Sequence, residues 1–239
     1  MAMTGFAGRD AARTRATALG VLLLCVVALV AGWSRLWPPA VLLRPCGDVL
    51  RWREALSMLV FAALIVLQLW RLFVTASDGR IDGWAYVFVG GVYFLGVGMG
   101  MHDVCNRLGQ VYRGAPEAVT ASLDFFDNKL GHWVFFAGFM LTSVAGGVQQ
   151  LRHPLGTDLP WCWSAGLVGL SLPLMFVMLT NLMFEKTGLD LGVIAVVTLT
   201  IGAAQVRYRV GFRRLPLLCV LYPAYTVAVA GSLLYWLMG

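Results

Sequence analysis

The stretch "GWAYVFVGGVYFLGVGMGMHDVCN", residues 83–106, decides the fold. From Gly83 to Met101 it carries no charged side chain. At 1.5 Å per residue, a helix of this length crosses most of a hydrocarbon layer about 30 Å thick. Apolar and polar residues do not alternate, so the run does not read as a strand of a membrane barrel. It then ends abruptly in His102, Asp103 and Asn106, where a lipid-facing helix pays heavily for polar groups.

The same pattern recurs along the chain. Of 239 residues, 59% are apolar and only 13% charged, too few to clothe a soluble domain of this size. The apolar residues fall in long blocks, not in amphipathic stripes. The expected fold class is therefore all-α, a polytopic membrane helical bundle forming one integral-membrane domain over 1–239. Seven spans are expected, at about 17–37, 55–75, 83–104, 131–149, 161–184, 189–206 and 216–238. The first follows a basic segment, "GRDAARTRA", but no small-x-small cleavage site follows it, so it is read as a retained span. Pro38 and Pro39 end that span, Pro160 precedes the fifth, and Pro173 and Pro223 predict kinks inside the fifth and seventh. The tryptophans fall mostly at span ends, as in an aromatic belt.

The formal charge of +6 does not point to nucleic acid, because the basic residues lie in the connections between spans. One set of connections holds Arg9, Arg13, Arg15, Arg71, Arg80, Arg152, Arg207, Arg209, Arg213 and Arg214. The other holds Arg35, Arg44, Arg51, Arg53, Arg107, Arg113, Lys129 and Lys186. The first set is slightly larger and more compact. The expected orientation therefore has a cytoplasmic N-terminus and a C-terminus outside. Five cysteines are scattered with no CxxC pair, so no zinc-ribbon or redox motif is present. No Asp, Glu, Lys or Arg falls in the middle of a span, which argues against a proton-coupled carrier.

Seven spans place the end of the third, the start of the fourth, the end of the fifth and the start of the sixth at one membrane face. His102, Asp103, Asn106, Asp124, Asp127, Asn128, His132, Asn181, Glu185 and Asp190 gather there, whereas Asp10, Asp78, Asp82, Asp158 and His153 lie opposite. A helix starting near Leu123 puts Asp124, Asn128 and His132 on one face, and a distortion near Gly131 brings Asp127 to His132. The glycines at 96, 98 and 100 are expected to admit a close neighbouring helix.

Histidine with carboxylate is the ligand set of a divalent cation such as zinc. The candidate ligands are His102, Asp127, His132 and Asp190. Asp103 and Glu185 are candidate catalytic or orienting groups, and Asn106, Asp124, Asn128 and Asn181 complete a polar rim. An open coordination position makes a bound water a hydrolytic nucleophile, which suits a lipid or lipid-linked substrate at the interface. Three alternatives stand beside this reading. The residues cap helices and meet headgroups; or the chain is a non-enzymatic subunit or assembly protein that docks another membrane subunit at this face; or His102 and His132 ligate a b-type haem.

In outline the arrangement resembles the seven-span metal-dependent lipid hydrolases that include alkaline ceramidases and adiponectin-receptor-like proteins. The likeness lies in the span count and in "GVGMGMHDVCN", with His102 in place of their early-span histidine. It departs from them at Gly98, where they have serine, and in span 216–238, which has no histidine.

Overall fold

The structure, a computed structural model, describes residues 2–34, 55–185 and 188–238, without the side chains of 2–7, 31–34, 57, 177 and 180–190. Helix α1 covers Ala2–Ser34. A π-helical turn, Leu56–Phe61, leads into α2, Ala62–Ala76, and α3 covers Gly83–Val111. Next come α4, Glu117–Asp124, a second π-helical turn, Phe125–Gly131, and α5, His132–Arg152. Helices α6, Trp161–Leu170, α7, Leu172–Glu185, α8, Gly188–Tyr208, and α9, Pro216–Met238, complete the chain. Among the described residues, six helices are long and apolar enough to cross a membrane. The chain is an all-α, multi-pass membrane bundle.

Local signals explain most boundaries. Helix α2 ends in a turn where Asp78 and Gly79 both take positive φ, with the Gly79 N–H closing on Val74 O at 2.8 Å. Asp82 caps α3 by accepting from the Trp84 N–H at 3.0 Å. Pro116 and Pro160 precede α4 and α6, and Pro216 opens α9, places where a missing N–H costs little.

Three expected spans are corrected. The third runs on to Val111, well past residue 104. The fourth starts at Glu117 and passes without a break through the π turn to Arg152, so Asp124 lies within helix and makes no capping bond. The fifth is two helices, parted at Ser171. Pro173 offers no N–H to the preceding turn, and the chain tightens there: Ser171 N–H and Oγ both donate to Val168 O, at 3.0 and 2.6 Å. Pro223, in contrast, sits inside an unbroken α9.

Helix α9 occupies the centre, with Leu218, Cys219, Val220, Ala224 and Ala228 fully buried. It packs with Ile201 and Val197 of α8 on one side and with Leu72 and Val21 on another. Its Tyr225 hydroxyl shares a 2.9 Å hydrogen bond with Ser143 of α5. Outward faces remain apolar: Leu199 and Val206 are 72% and 78% exposed, as side chains facing lipid should be. Phe73 of α2 stacks on Phe88 of α3 with ring centroids 4.4 Å apart.

Helices α3 and α5 make the crossing that builds the site. A Cβ added at Gly98 falls 2.5 Å from Phe135 N and 2.7 Å from Gly131 O; one at Gly91 falls 2.8 Å from Thr142 N. Gly138 meets the backbone of Gly91 and Leu95 as closely. The seam is thus Gly91 and Gly98 against Gly131 and Gly138, each pair seven residues apart. Gly96 and Gly100 look onto open space and are not part of it.

Candidate functional site

The antiparallel crossing opposes Gly91 to Gly138 and Gly98 to Gly131. One turn further along α3, it opposes His102 to Asp127. His102 Nδ1 and Asp127 Oδ1 are 2.7 Å apart, with the side chains 31% and 15% exposed. Both atoms are buried, and the carboxylate meets the ring nitrogen at hydrogen-bonding distance. The His132 ring lies beside that of His102, centroids 5.4 Å apart and planes tilted by 36°. Asp127 acts electrostatically on both imidazoles.

The π turn produces this grouping. A π-helix closes i to i+5 and holds more residues per turn than an α-helix. In Phe125–Gly131 the extra residue brings Asp127 toward the face of His132, five positions on. Asp124 and Asn128 are left on an exposed face, where Asn128 Nδ2 donates to Asp124 Oδ1 at 2.6 Å. The α-helical phase that joins Asp124, Asn128 and His132 is therefore replaced, and the expected distortion near Gly131 is an entire π turn.

Depth follows from helix length. His102 lies about 28 Å along α3 from Gly83, and His132 about 30 Å back along α5 from Arg152, at 1.5 Å per residue. Both stand at the far boundary of the apolar layer. Beyond it α3, α4 and the π turn form a projecting hairpin. There Asn106 accepts from Gln110 Nε2 at 3.1 Å, on an exposed surface. Asp103 follows His102 in the chain and points about 100° around the helix from it. The side chains of Asn181, Glu185 and Asp190 lie outside the described residues. Among the described residues, no three His, Cys, Asp or Glu side chains stand where they could hold a metal ion.

Two features escaped the sequence reading. Cys105 is one turn beyond His102 on the same side of α3, and the Asp127 charge reaches it. An HxxC spacing on a helix was the available signal. The second is the opposite membrane face, where four acidic residues seemed a minor set. Arg13 donates there to Thr75 O, Ala76 O and His153 O at 3.3, 3.1 and 2.7 Å. Asp10 accepts from Thr157 N–H and Oγ1 at 3.0 and 3.1 Å. Asp82 accepts from Gln149 and Arg152, each at 2.6 Å. Gln150 caps the free N–H of Leu218 at 2.9 Å. The adjacent pair Gln149–Gln150 at the end of an apolar run was the signal for this network.

No family model matches the chain, and neither the curated proteins nor the solved structures yield a match.

Proposed function

We propose that this protein is a membrane enzyme that hydrolyses a lipid or lipid-linked substrate at one bilayer face, with His102 and His132 holding a divalent cation such as zinc. The observation that carries the reading is the pairing of a carboxylate with one imidazole beside a second imidazole at the apolar boundary. Two imidazoles on one tetrahedral zinc, with Zn–N bonds near 2.0–2.1 Å, place their ring centroids about 5 Å apart. The observed separation is 5.4 Å. Asp127 on His102 Nδ1 is the carboxylate–histidine arrangement that orients a ligand imidazole and leaves its Nε2 for metal. Asp127 is thus an orienting group in this reading, not a ligand. Glu185 and Asp190 are the remaining acidic candidates from α7 and the start of α8. When bound, the cation supplies an activated water at neutral pH.

A haem between the two histidines fits less well. Backbones touch at Gly98 and Gly131, one turn from His102, and a macrocycle between the rings needs the helices parted. A docking role for the same face has one observation in its favour: α4 buries no residue. The orientation with a cytoplasmic N-terminus rests on the arginines clustered at the Arg13 end.

Metal analysis and a visible spectrum of the purified full chain, wild type against His102→Ala, test the reading. The expected result is about one zinc per chain and hydrolysis of a phospholipid or ceramide probe, both lost in the variant. Equal, substoichiometric metal in both proteins overturns it, and a Soret band reassigns the site to haem.

A further inference from the structure

We propose that the bundle binds the end of one phospholipid acyl chain in an interior cavity that opens sideways to the bilayer beside α1. The inference is independent of the cation reading above.

The cavity has a volume of about 140 Å³. Its walls include Phe73 of α2, Phe88 of α3 and Val220 of α9, all buried. The break between α6 and α7 adds Pro173. Of the lining residues, Ala28 and Leu29 alone are exposed, Leu29 by 58%, and they mark the mouth. Arg13 anchors α1 at the face opposite His102 through the main-chain carbonyls of two turns. At 1.5 Å per residue, Ala28 and Leu29 stand about 23 and 24 Å along the helix from Arg13. That depth lies inside a hydrocarbon layer about 30 Å thick, so the mouth meets lipid tails.

Chemistry and size select the occupant. The lining side chains are hydrocarbon except for the Cys25 thiol and the hydroxyls of Thr142 and Ser143. Both hydroxyls are already engaged within the bundle. Thr142 Oγ1 donates to Gly138 O at 2.9 Å, and Ser143 Oγ shares its 2.9 Å hydrogen bond with Tyr225. A buried water needs two to four polar partners, and this lining does not supply them. A dry apolar cavity of roughly 150 Å³ takes a guest the size of benzene, so about half a dozen carbons fit here. That is the terminal part of one acyl chain; a sterol ring system or a whole lipid is too large. Left empty beside fluid lipid tails, the lining would forfeit dispersion contacts that an entering chain restores. Shape and hydrocarbon contact choose the guest, and the headgroup stays outside.

The test is photo-crosslinking of the full chain reconstituted in phosphatidylcholine vesicles. One probe phosphatidylcholine carries a diazirine near the methyl end of an acyl chain, and a second carries it at the headgroup. Adducts are mapped by peptide mass spectrometry. Surrounding lipid reaches Leu199 on the outer face but not Phe73 and Phe88, which are 1% and 4% exposed. The chain-end probe should label Phe73 or Phe88 as well as Leu199, and the headgroup probe should label neither phenylalanine. Ala28→Trp plugs the mouth from an exposed, lipid-facing position. It should abolish labelling of the two phenylalanines and leave that of Leu199. Chain-end labelling confined to outward-facing residues in the wild type overturns the proposal, and so does equal labelling of the phenylalanines by both probes. Interior labelling unchanged by Ala28→Trp overturns the entrance at Ala28 and Leu29.

Discussion

At the end of the bundle where α1 begins, each described acidic side chain in the network meets a donor: Asp10 holds Thr157, Asp78 holds Arg9 at 2.6 Å, and Asp82 holds Gln149 and Arg152. Arg13 ties the turn after α2 to the turn after α5 through main-chain carbonyls. The loop after α5 pairs with the loop before α9, with the N–H groups of Leu155 and Leu159 donating to Arg214 O and Arg213 O, each at 2.9 Å. At the other end, His102 Nδ1 and Asp127 Oδ1 are buried at close range. The first end spends its polar groups on closing the fold, through main-chain carbonyls and loop N–H groups. The second buries an imidazole–carboxylate pair that ties no turn or loop together, and burying such groups costs stability.

Substitutions should therefore separate the two ends. The largest loss is expected where the seam itself is filled. Gly98→Val drives a branched side chain into the backbone of α5 and should cost about 3 kcal/mol, read as a large fall in thermal midpoint in detergent. Gly96→Ala and Gly100→Ala meet nothing and should leave the midpoint within a few tenths of a kcal/mol, or raise it through helix propensity. Equal effects at Gly96 and Gly98 would contradict the crossing. Next is Arg13→Ala. It strips four turn carbonyls, those of Thr75, Ala76, His153 and Pro154, of a part-buried donor and leaves Asp78 with one cationic partner fewer, at a cost of about 2–4 kcal/mol. Metal content should not change.

Asp127→Asn should do the reverse. The amide keeps a carbonyl oxygen for His102 and removes the cost of burying a charge, so stability should stay within about 1 kcal/mol of wild type. Metal affinity should fall about 10- to 100-fold, the usual cost of losing a group that orients a ligand histidine. A large loss of stability with unchanged metal affinity would place Asp127 with the architectural carboxylates of the other end.

How far the sequence was legible follows from what each feature depends on. Membrane class and most span positions depend on composition summed over twenty residues, so they show directly. Span 216–238 appears as the helix Pro216–Met238. The His102–His132 meeting was legible too, because any antiparallel pair of spans brings those positions to one face. The π turn was legible only as a distortion near Gly131 that brings Asp127 to His132. Its extent depends on which backbone hydrogen bond wins over Phe125–Gly131, a local balance that periodicity cannot resolve. The seam was half legible: glycines 96, 98 and 100 are equivalent in sequence, and only the helix phase against α5 selects Gly98. The Arg13 network was invisible because its acceptors are main-chain carbonyls, which every residue carries.

The smallest expected effect concerns His153, in the connection after α5 at the closed end. Burial is the main cause that lowers its pKa below the ordinary histidine value; the charges of Arg80 and Arg152 act the same way, and Asp82 opposes them. The folded chain thus keeps this imidazole neutral at a pH where the unfolded chain has already taken up a proton. Stability is full above the ordinary value, near pH 6.5, and falls as the pH drops toward the lowered one. His153→Asn removes the titrating group and keeps the backbone carbonyl that Arg13 binds. The thermal midpoint of wild type should fall more steeply than that of the variant between about pH 7.5 and about pH 5. The difference should be small, because the ring is only partly buried and solvent screens its neighbours. Parallel pH profiles would mean that the surrounding arginines do not hold His153 neutral. The closed end would then be insensitive to protons in this range.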